Sequence, residues 1–398
     1  MSLHRVPVDM DHVVDLLLRL LRTPSPSGRT DEVMRLIGAE LTDLDIDFSL
    51  TRRGSLVAEL PGHDGDGGAR ALVVHADTIG CMVKERKGNG RLRVVPIGTW
   101  SARFAEGARV TIFTDDFEAT YTGTVLPLKA SGHTFGDAID DQPVGWDHVE
   151  VRIDEPVGSA DDVAALGIEV GDFVAVDAYP QLTRSGYLKA RHLDDKAGVA
   201  AALGAIRALC SHGVTPAVPT RLLVTIAEEV GQGATHGLDE DVAEMVSIDN
   251  AVVAPGQASA EHAVNVAMLD SSGPFDYHLT RRLTGLAQQL ELPVRRDVFD
   301  YYRSDVAAAI EAGASTRAAL VGFGVDASHG HERTHVDGLR ALTELLVAYC
   351  QAPLTFAFDT EPTGPLEEFP EGEQQVRPSM APALVDEQKI VDDAPVVD

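Results

Sequence analysis

The sequence predicts an α/β protein whose doubly wound, mostly parallel sheet is interrupted by a small inserted β-barrel domain. Helical patterns alternate with short apolar runs before residue 80 and after residue 189, which is typical of a sheet with helices on its faces. The run ALVVHAD (71–77) is apolar until its last residues, as a buried parallel strand is when it reaches the sheet edge. Between 81 and 188, short alternating segments replace the helical patterns, which favours a barrel.

The first part of the α/β domain is expected at 1–80. Apolar residues recur at helical spacing over 8–22 and again over 30–44, with the breaker TPSPSG (23–28) between them. Two short strands follow near 46–52 and 55–60, joined by a turn at Arg53-Gly54. The strand 71–77 then ends this part of the chain.

The inserted β-rich domain is expected at 81–188. Its alternating segments, each bounded by turn residues, lie at 92–98, 109–114, 119–126, 148–154 and 172–178.

The second part of the α/β domain is expected at 189–358. Its helices are predicted near 195–211, 276–290 and 337–351, and its strands at 221–227, 246–253, 263–269 and 319–325. The remaining segment, 359–398, holds 11 acidic residues, 2 basic residues and 6 prolines. Such a composition predicts a disordered or loosely attached tail.

The charge of the chain excludes two classes of partner. It contains 33 Lys and Arg against 62 Asp and Glu, a formal charge of −29, so phosphate backbones and anionic membranes would repel it. The three cysteines, Cys81, Cys210 and Cys350, form no C-x-x-C pair, which argues against a disulfide framework. The N-terminal segment lacks the pattern of a signal peptide and no apolar run suits a bilayer. We therefore expect a cytoplasmic protein that binds neither nucleic acid nor membrane.

Acids and histidines gather where predicted strands end or a helix begins. Each motif has a structural interpretation of its own: a polar pair, a helix cap, an ion-paired carboxylate or a solvated loop. Together they form a thiolate-free set of His, Asp and Glu, which suits Zn²⁺, Co²⁺ or Mn²⁺. A carboxylate shared by two ions would hold them about 3.5–4 Å apart, and a paired Glu could serve as a general base. The residues are His75, Asp77, Asp194, Asp195, Glu228, Glu229, Asp249 and the stretch 328–335.

The order of motifs over nearly the whole chain up to about 352 carries a family resemblance. The motifs are TPSPSG (23–28), VVHADTIG (73–80), VVPIGTW (94–100), ALGIEVGDFV (165–174), KARHLDDKAG (189–198), TIAEEVGQGA (225–234) and SDVAAA (304–309). The chain resembles the cobalt- or zinc-dependent glutamyl, deblocking and tetrahedral aminopeptidases, which have also been named cellulase-M or endoglucanase. It departs from them at Thr78, where the family has Glu, and around the last histidine.

The resemblance implies a site with two divalent metal ions per chain, Zn or Co, with Mn as a further candidate. His75, Asp194 and Asp249 would hold one ion, and Asp194, Glu229 and His329 the other. Glu228 would be the general base, and Asp77 would hydrogen-bond His75 and fix its tautomer. The last ligand is His329 when counted from the strand 319–325, but His331 when counted back from the helix 337–351; we favour His329.

The function implied is a dinuclear aminopeptidase that removes N-terminal residues from short peptides. His331 and Arg333 would bind substrate, with Arg333 and His335 able to face an anionic or amide group. The family also implies a homo-oligomer of up to twelve subunits, and the nearest subgroup is one associated with osmoprotectant gene clusters. A deacylase or carboxypeptidase on the same scaffold and a non-catalytic scaffold protein are the alternatives. A nicotinamide oxidoreductase is disfavoured because no strand is followed by G-x-G-x-x-G.

Overall fold

A computed structural model describes residues 2–63, 68–116, 119–356, 359 and 379–380. In this part of the chain the helices are α1 (Met10–Arg22), α2 (Asp31–Asp43), α3 (Ala102–Ala105), α4 (Gly132–Phe135), α5 (Ala160–Ala165), α6 (Leu193–Ser211), α7 (Tyr277–Gln289), α8 (Asp305–Glu311) and α9 (Val336–Gln351). The strands before α6 are β1 (Ser2–Leu3), β2 (Phe48–Leu50), β3 (Leu56–Leu60), β4 (Ala69–His75), β5 (Gly80–Arg86), β6 (Leu92–Ile97), β7 (Arg109–Phe113), β8 (Thr120–Pro127), β9 (Val149–Ile153), β10 (Phe173–Val176), β11 (Gln181–Leu182) and β12 (Tyr187–Ala190). Those after it are β13 (Thr220–Thr225), β14 (Val242–Val253), β15 (Val264–Asp270), β16 (Gly273–Pro274), β17 (Val294–Val298), β18 (Arg317–Asp326), β19 (Glu332–His335) and β20 (Ser379–Met380).

The large sheet is parallel at its centre and antiparallel at its flanks. Its order is β11-β12-β19-β18-β14-β4-β13-β3-β2, and β15 also pairs with β18. The central strands β18, β14, β4 and β13 are parallel neighbours. The flanking pairs β3–β13, β12–β19 and β15–β18 are antiparallel. Four strands therefore end at one edge of the sheet, where ligands bind in open α/β folds.

Helices cover both faces of this sheet because its central strands are apolar on both sides. On one face Leu72 and Val74 of β4 belong to a core shared with α1, α6, α7 and α9. On the other face Val73 packs in a second core that includes Val306 of α8. The alternation follows from the two-residue period of a strand.

Helix α6 is buried all round and is built almost entirely from small and apolar residues. Lys196, in its first turn, is 1% exposed, and its Nζ donates to the carbonyls of Leu20 and Thr23 at 2.9 and 2.6 Å. The end of α1 thereby fastens the beginning of α6, which carries Asp194 and Asp195.

The inserted unit is a closed barrel in the order β10-β5-β6-β9-β8-β7. Its neighbours in that order are antiparallel, and it has its own apolar core, with Cys81, Leu92, Val110 and Val151 inside. Because its strands run from Gly80 to Val176, it interrupts the larger sheet between β4 and β11.

The α/β class and the inserted barrel are confirmed. The domain limits at 81, 189 and 358 stay predictions, and most of the predicted tail lies outside the described residues. The patterns did not indicate β19 or α8, since both are short. In the described part of the chain, no helix combines the length and apolarity that crossing a bilayer requires.

Candidate metal centre

The polar residues predicted from the strand ends meet at the carboxyl edge of the central strands. His75 is the last residue of β4, and Asp249 lies on β14. Asp194 is the second residue of α6, and Glu229 lies in a 3₁₀ turn, Glu228–Val230, after β13. His329 follows β18 in the loop that leads to β19. The parallel order of the strands brings these five side chains together.

One group of possible ligands consists of His75, Asp194 and Asp249. His75 Nε2 lies 3.2 Å from Asp194 Oδ1 and 3.9 Å from Asp249 Oδ1. One donor atom from each residue lies within 4.8 Å of the others, and all three residues are buried.

A second group consists of Asp194, Glu229 and His329. His329 Nε2 lies 3.4 Å from Asp194 Oδ2 and 3.4 Å from Glu229 Oε2. Asp194 thus directs Oδ1 toward one group and Oδ2 toward the other. Among the described residues, His331 belongs to neither group.

Backbone carbonyls orient both imidazoles. His75 Nδ1 lies 3.0 Å from the carbonyl oxygen of Asp77, and His329 Nδ1 lies 3.0 Å from that of Thr99. A carbonyl can only accept, so both Nδ1 atoms carry a proton, and Nε2 is the atom of each ring that could bind a metal ion. A metal-ligating imidazole is usually fixed in this way.

The Asp77 carboxylate mainly holds the two glutamates. It accepts the Ser27 hydroxyl at 2.5 Å and the backbone N–H groups of Glu228 and Glu229 at 3.1 and 3.3 Å. Its Oδ1 is 3.6 Å from His75 Nδ1. The tautomer of His75 is therefore set more directly by the Asp77 carbonyl than by the Asp77 carboxylate.

Three further residues support the centre, and the sequence had not assigned any of them to it. Glu332 accepts the backbone N–H groups of His329 and Asp194 at 2.9 and 3.2 Å. Asn250 donates its amide to Asp194 Oδ2 at 2.6 Å. Asp305 accepts Thr225 Oγ1 and the Ala234 N–H at 2.7 and 2.8 Å. Glu332 belongs to the His-rich stretch and Asp305 to SDVAAA, so both lay in motifs whose individual roles the pattern did not resolve.

The centre concentrates negative charge in a buried space. Burial, and then neighbouring carboxylates, raise the pKa of Asp249 and Glu228 well above their ordinary values and that of Glu229 to about 7. Burial opposes ionisation of Asp194 too, but hydrogen bonds with His329 and His75 outweigh it and lower the pKa of Asp194. Buried carboxylates this close together repel each other unless protons or cations compensate them. The arrangement therefore fits divalent cations.

The two predicted substrate-binding residues lie outside both ligand groups. His331 is exposed. Arg333 pairs with Glu261 at 2.8 and 3.1 Å. Successive side chains of a strand point to opposite faces, so Arg333 points away from the face on which Glu332 meets Asp194. Their role in substrate binding stays a prediction.

Another histidine grouping, formed by His262, His335 and Asp337, has a structural explanation. His335 is the N-cap of α9, where its Nδ1 accepts the Asp337 N–H at 3.1 Å. Its Nε2 donates to the Ser185 carbonyl at 2.7 Å. Both ring nitrogens are therefore engaged in capping the helix and joining it to a neighbouring turn.

Comparison with known proteins identifies the family to which this chain is similar. The model of the M42 glutamyl aminopeptidase family matches residues 54–345. YhfE of Bacillus subtilis strain 168, which bears an aminopeptidase name, is 37% identical over 341 residues, covering 86% of this chain and 98% of that protein.

Solved structures share the fold. An aminopeptidase from Desulfurococcus kamchatkensis has a TM-score of 0.76 at 21% identity, covering 86% of this chain and 95% of its own. The TET1 peptidase of Pyrococcus horikoshii, described as assembling into a tetrahedron or a large octahedral shell, has a TM-score of 0.75 at 20% identity, covering 85% and 99%.

Proposed function

The chain belongs to the M42 glutamyl aminopeptidase family and is a peptide hydrolase; from this membership we propose that it is a dinuclear metal-dependent aminopeptidase acting on short peptides. His75, Asp194 and Asp249 would hold one divalent ion, and Asp194, Glu229 and His329 the other. Zn²⁺ or Co²⁺ suits this set of imidazoles and carboxylates, and Mn²⁺ is a further candidate.

The observation that carries the proposal is the position of Asp194 between the two ligand groups. Its Oδ1 lies 3.2 Å from His75 Nε2, and its Oδ2 lies 3.4 Å from His329 Nε2. A carboxylate with one oxygen toward each group is suited to bridge two ions. When bound, such ions would polarise the scissile carbonyl and offset the charge that develops on it.

Glu228 is proposed as the general base. Its side chain is 14% exposed, and its Oε2 lies 3.8 Å from His75 Nε2, so it borders the ligand groups without belonging to either. Asp77 fixes the Glu228 backbone. Glu228 would take a proton from the attacking water and deliver it to the leaving amine.

Replacing Glu228 by Gln tests this assignment. We expect kcat/KM on a peptide that the wild type cleaves to fall about 10²–10⁴-fold, because the amide cannot accept the proton. Elemental analysis should find two metals per chain in both proteins, since no ligand is removed. Glu155→Gln, at an exposed position of the barrel, is the matched control and should leave both quantities unchanged. Near-normal turnover by Glu228→Gln would refute the base assignment.

The choice of substrate separates this function from amide hydrolysis of another kind. Paired free-amino and N-acylated dipeptides, together with dipeptide amides of the osmoprotectant type, form the panel. An aminopeptidase cleaves the free-amino peptides at the first bond, whereas a deacylase or carboxypeptidase prefers the acylated ones. No hydrolysis of any member by the metal-loaded protein would instead favour a non-catalytic scaffold.

We also propose that the chain forms a homo-oligomer of up to twelve subunits. The support is the fold it shares with the P. horikoshii peptidase, whose assemblies are a tetrahedron or an octahedral shell. The mass of the native particle in solution, from light scattering, decides between a monomer and such a shell.

A further inference from the structure

The barrel segment 98–104, which follows β6 and runs into α3, lies against the second group of possible ligands. A Cβ atom added at Gly98 would lie 3.4 Å from the Glu229 carbonyl oxygen and 3.6 Å from Glu229 Cβ. The carbonyl of Thr99 accepts from His329 Nδ1 at 3.0 Å. The inserted barrel therefore contacts two of the possible metal ligands through this segment and forms one wall of the candidate centre.

Phe104 extends this wall along the loop that carries His329. A Cβ atom added at Gly330 would lie 3.4 Å from Phe104 Cδ1 and 3.7 Å from its Cε1, so the edge of the ring lies beside the residue that follows His329. Arg191 donates to the carbonyls of Phe104 and Gly330 at 2.7 and 3.4 Å. The Phe104 N–H donates to the Ser101 carbonyl at 3.0 Å. Phe104 is therefore held in a fixed position relative to this loop.

The candidate centre is most open to solvent on the side where Phe104 lies. The side chain of His329 is 31% exposed, whereas the other four possible ligands are between 2% and 6% exposed. Phe104 itself is 42% exposed. Single exposed apolar side chains are common on protein surfaces, so exposure alone assigns no role to this ring. What distinguishes Phe104 is its place beside the ligand that a substrate entering from solvent meets first.

We propose that Phe104 is a specificity-determining residue whose ring packs against an apolar side chain of the substrate next to the scissile bond. This inference rests on the proposed aminopeptidase function and deepens it, because it names the substrate class as peptides with an apolar first or second residue. Small-molecule sites are lined mostly by apolar and aromatic side chains that contact the ligand in this way. A change of one methylene in a hydrophobic pocket alters kcat/KM by about 10–200-fold. Because the Phe104 ring stays partly open to solvent, we expect an effect of about tenfold.

The test compares Phe104→Ala with the wild type on two series of free-amino tripeptides, both proteins loaded with Zn²⁺. One series varies the first residue and the other the second, each through Gly, Ala and Leu. The ratio of kcat/KM for Leu to that for Gly should fall about tenfold in one series, while kcat/KM for the Gly peptide should change by less than about threefold. The series in which the ratio falls identifies the substrate residue that the ring contacts. Phe104→Leu, which keeps an apolar side chain, should restore most of the ratio.

Phe135→Ala is the matched control, because this phenylalanine of α4 is also 42% exposed on the barrel and lies outside the segment 98–104. It should leave both ratios unchanged. Zn²⁺ affinity, from competition with a chromophoric chelator, and particle mass, from light scattering, should be the same for Phe104→Ala and the wild type.

Three results would overturn the proposal. Equal loss of kcat/KM on every peptide, or weaker Zn²⁺ binding, would mean that Phe104 only supports the His329 loop. A smaller particle would mean that its ring packs against another copy of the chain. Ratios that do not change in either series would show that the ring does not contact the substrate. A wild type that cleaves no free-amino peptide would refute the proposed function itself, whereas wild-type cleavage with unchanged ratios in Phe104→Ala refutes only the role of Phe104.

Discussion

At the scale of single residues, Glu332 joins the two ends of the candidate site through the backbone. It is 1% exposed, and each of its carboxylate oxygens accepts one main-chain N–H, from His329 and from Asp194. Asp194 belongs to both ligand groups and His329 to one. Glu332 therefore fixes the separation of two ligands that lie far apart in the sequence.

Replacing Glu332 by Gln should weaken metal binding without unfolding the protein. The amide keeps one accepting oxygen, but its NH₂ group faces a backbone N–H that then has no acceptor. Loss of a contact that orients ligands typically costs about 10–100-fold in metal affinity, and we expect a change of that size in a chelator-competition titration. Arg333→Gln is the control, because this side chain pairs with Glu261 on the other face of β19. Equal Zn²⁺ affinity in both variants would show that Glu332 has no such role.

The site residues that could be identified from the sequence have a physical feature in common, and so do the residues that the sequence did not reveal. His75 and Glu229 follow apolar runs and Asp249 interrupts one, and a buried polar group at such a place is costly unless it is compensated. Glu332 acts through contacts between segments far apart in the chain, and it does not interrupt an apolar pattern. The carbonyls of Thr99 and Asp77 orient the histidines. Because these carbonyls belong to the backbone, the type of residue does not reveal their role.

At the scale of elements, the packing of α6 against α1 determines where Asp194 lies. A Cβ atom added at Gly204 of α6 would come within 2.4 Å of Val13 Cγ2, and Val13 is fully buried. The two helices therefore approach closely because glycine leaves room. The sequence predicted both helices from their periodicity, but the distance between them depends on which small residue faces which neighbour.

Gly204→Ala should destabilise the protein although alanine is the better helix former. Overpacking costs about 1–3 kcal/mol, which exceeds the gain of up to about 1 kcal/mol in helix propensity. Adding Val13→Ala should relieve the contact, so the double variant should be more stable than the sum of the single effects by at least about 0.5 kcal/mol. Denaturant unfolding monitored by circular dichroism measures this coupling.

The control for this cycle is Gly285→Ala in α7. A Cβ atom there meets nothing within 4 Å, so helix propensity alone should act, and a gain of about 0.5–1 kcal/mol is expected. If the effects of Gly204→Ala and Val13→Ala on the free energy of unfolding were strictly additive, the added methyl group would make no repulsive contact with Val13.

At the scale of the whole molecule, the candidate metal centre joins the inserted barrel to the sheet. The carbonyl of Thr99, between β6 and α3, accepts from His329 beyond β18, and the N–H of Ile79, just before the barrel, donates to Glu229 Oε1 at 3.2 Å. Part of the formal charge of −29 is therefore concentrated where both units meet. Carboxylates that repel each other at this junction weaken it, and bound cations would strengthen it.

Metal removal should consequently lower the stability of the entire fold. Ions that bind only the folded chain stabilise it by mass action, about 2.7 kcal/mol per site at a free concentration one hundred times Kd. We expect the melting temperature to fall after chelation and dialysis, and to rise again in proportion to the logarithm of added Zn²⁺ or Co²⁺. Glu228→Gln should show the same rise, because it removes no ligand. Asp194→Asn should lose most of it, because this residue serves both ligand groups. A melting temperature that changes neither on chelation nor on addition of metal would contradict a dinuclear site at this edge of the sheet.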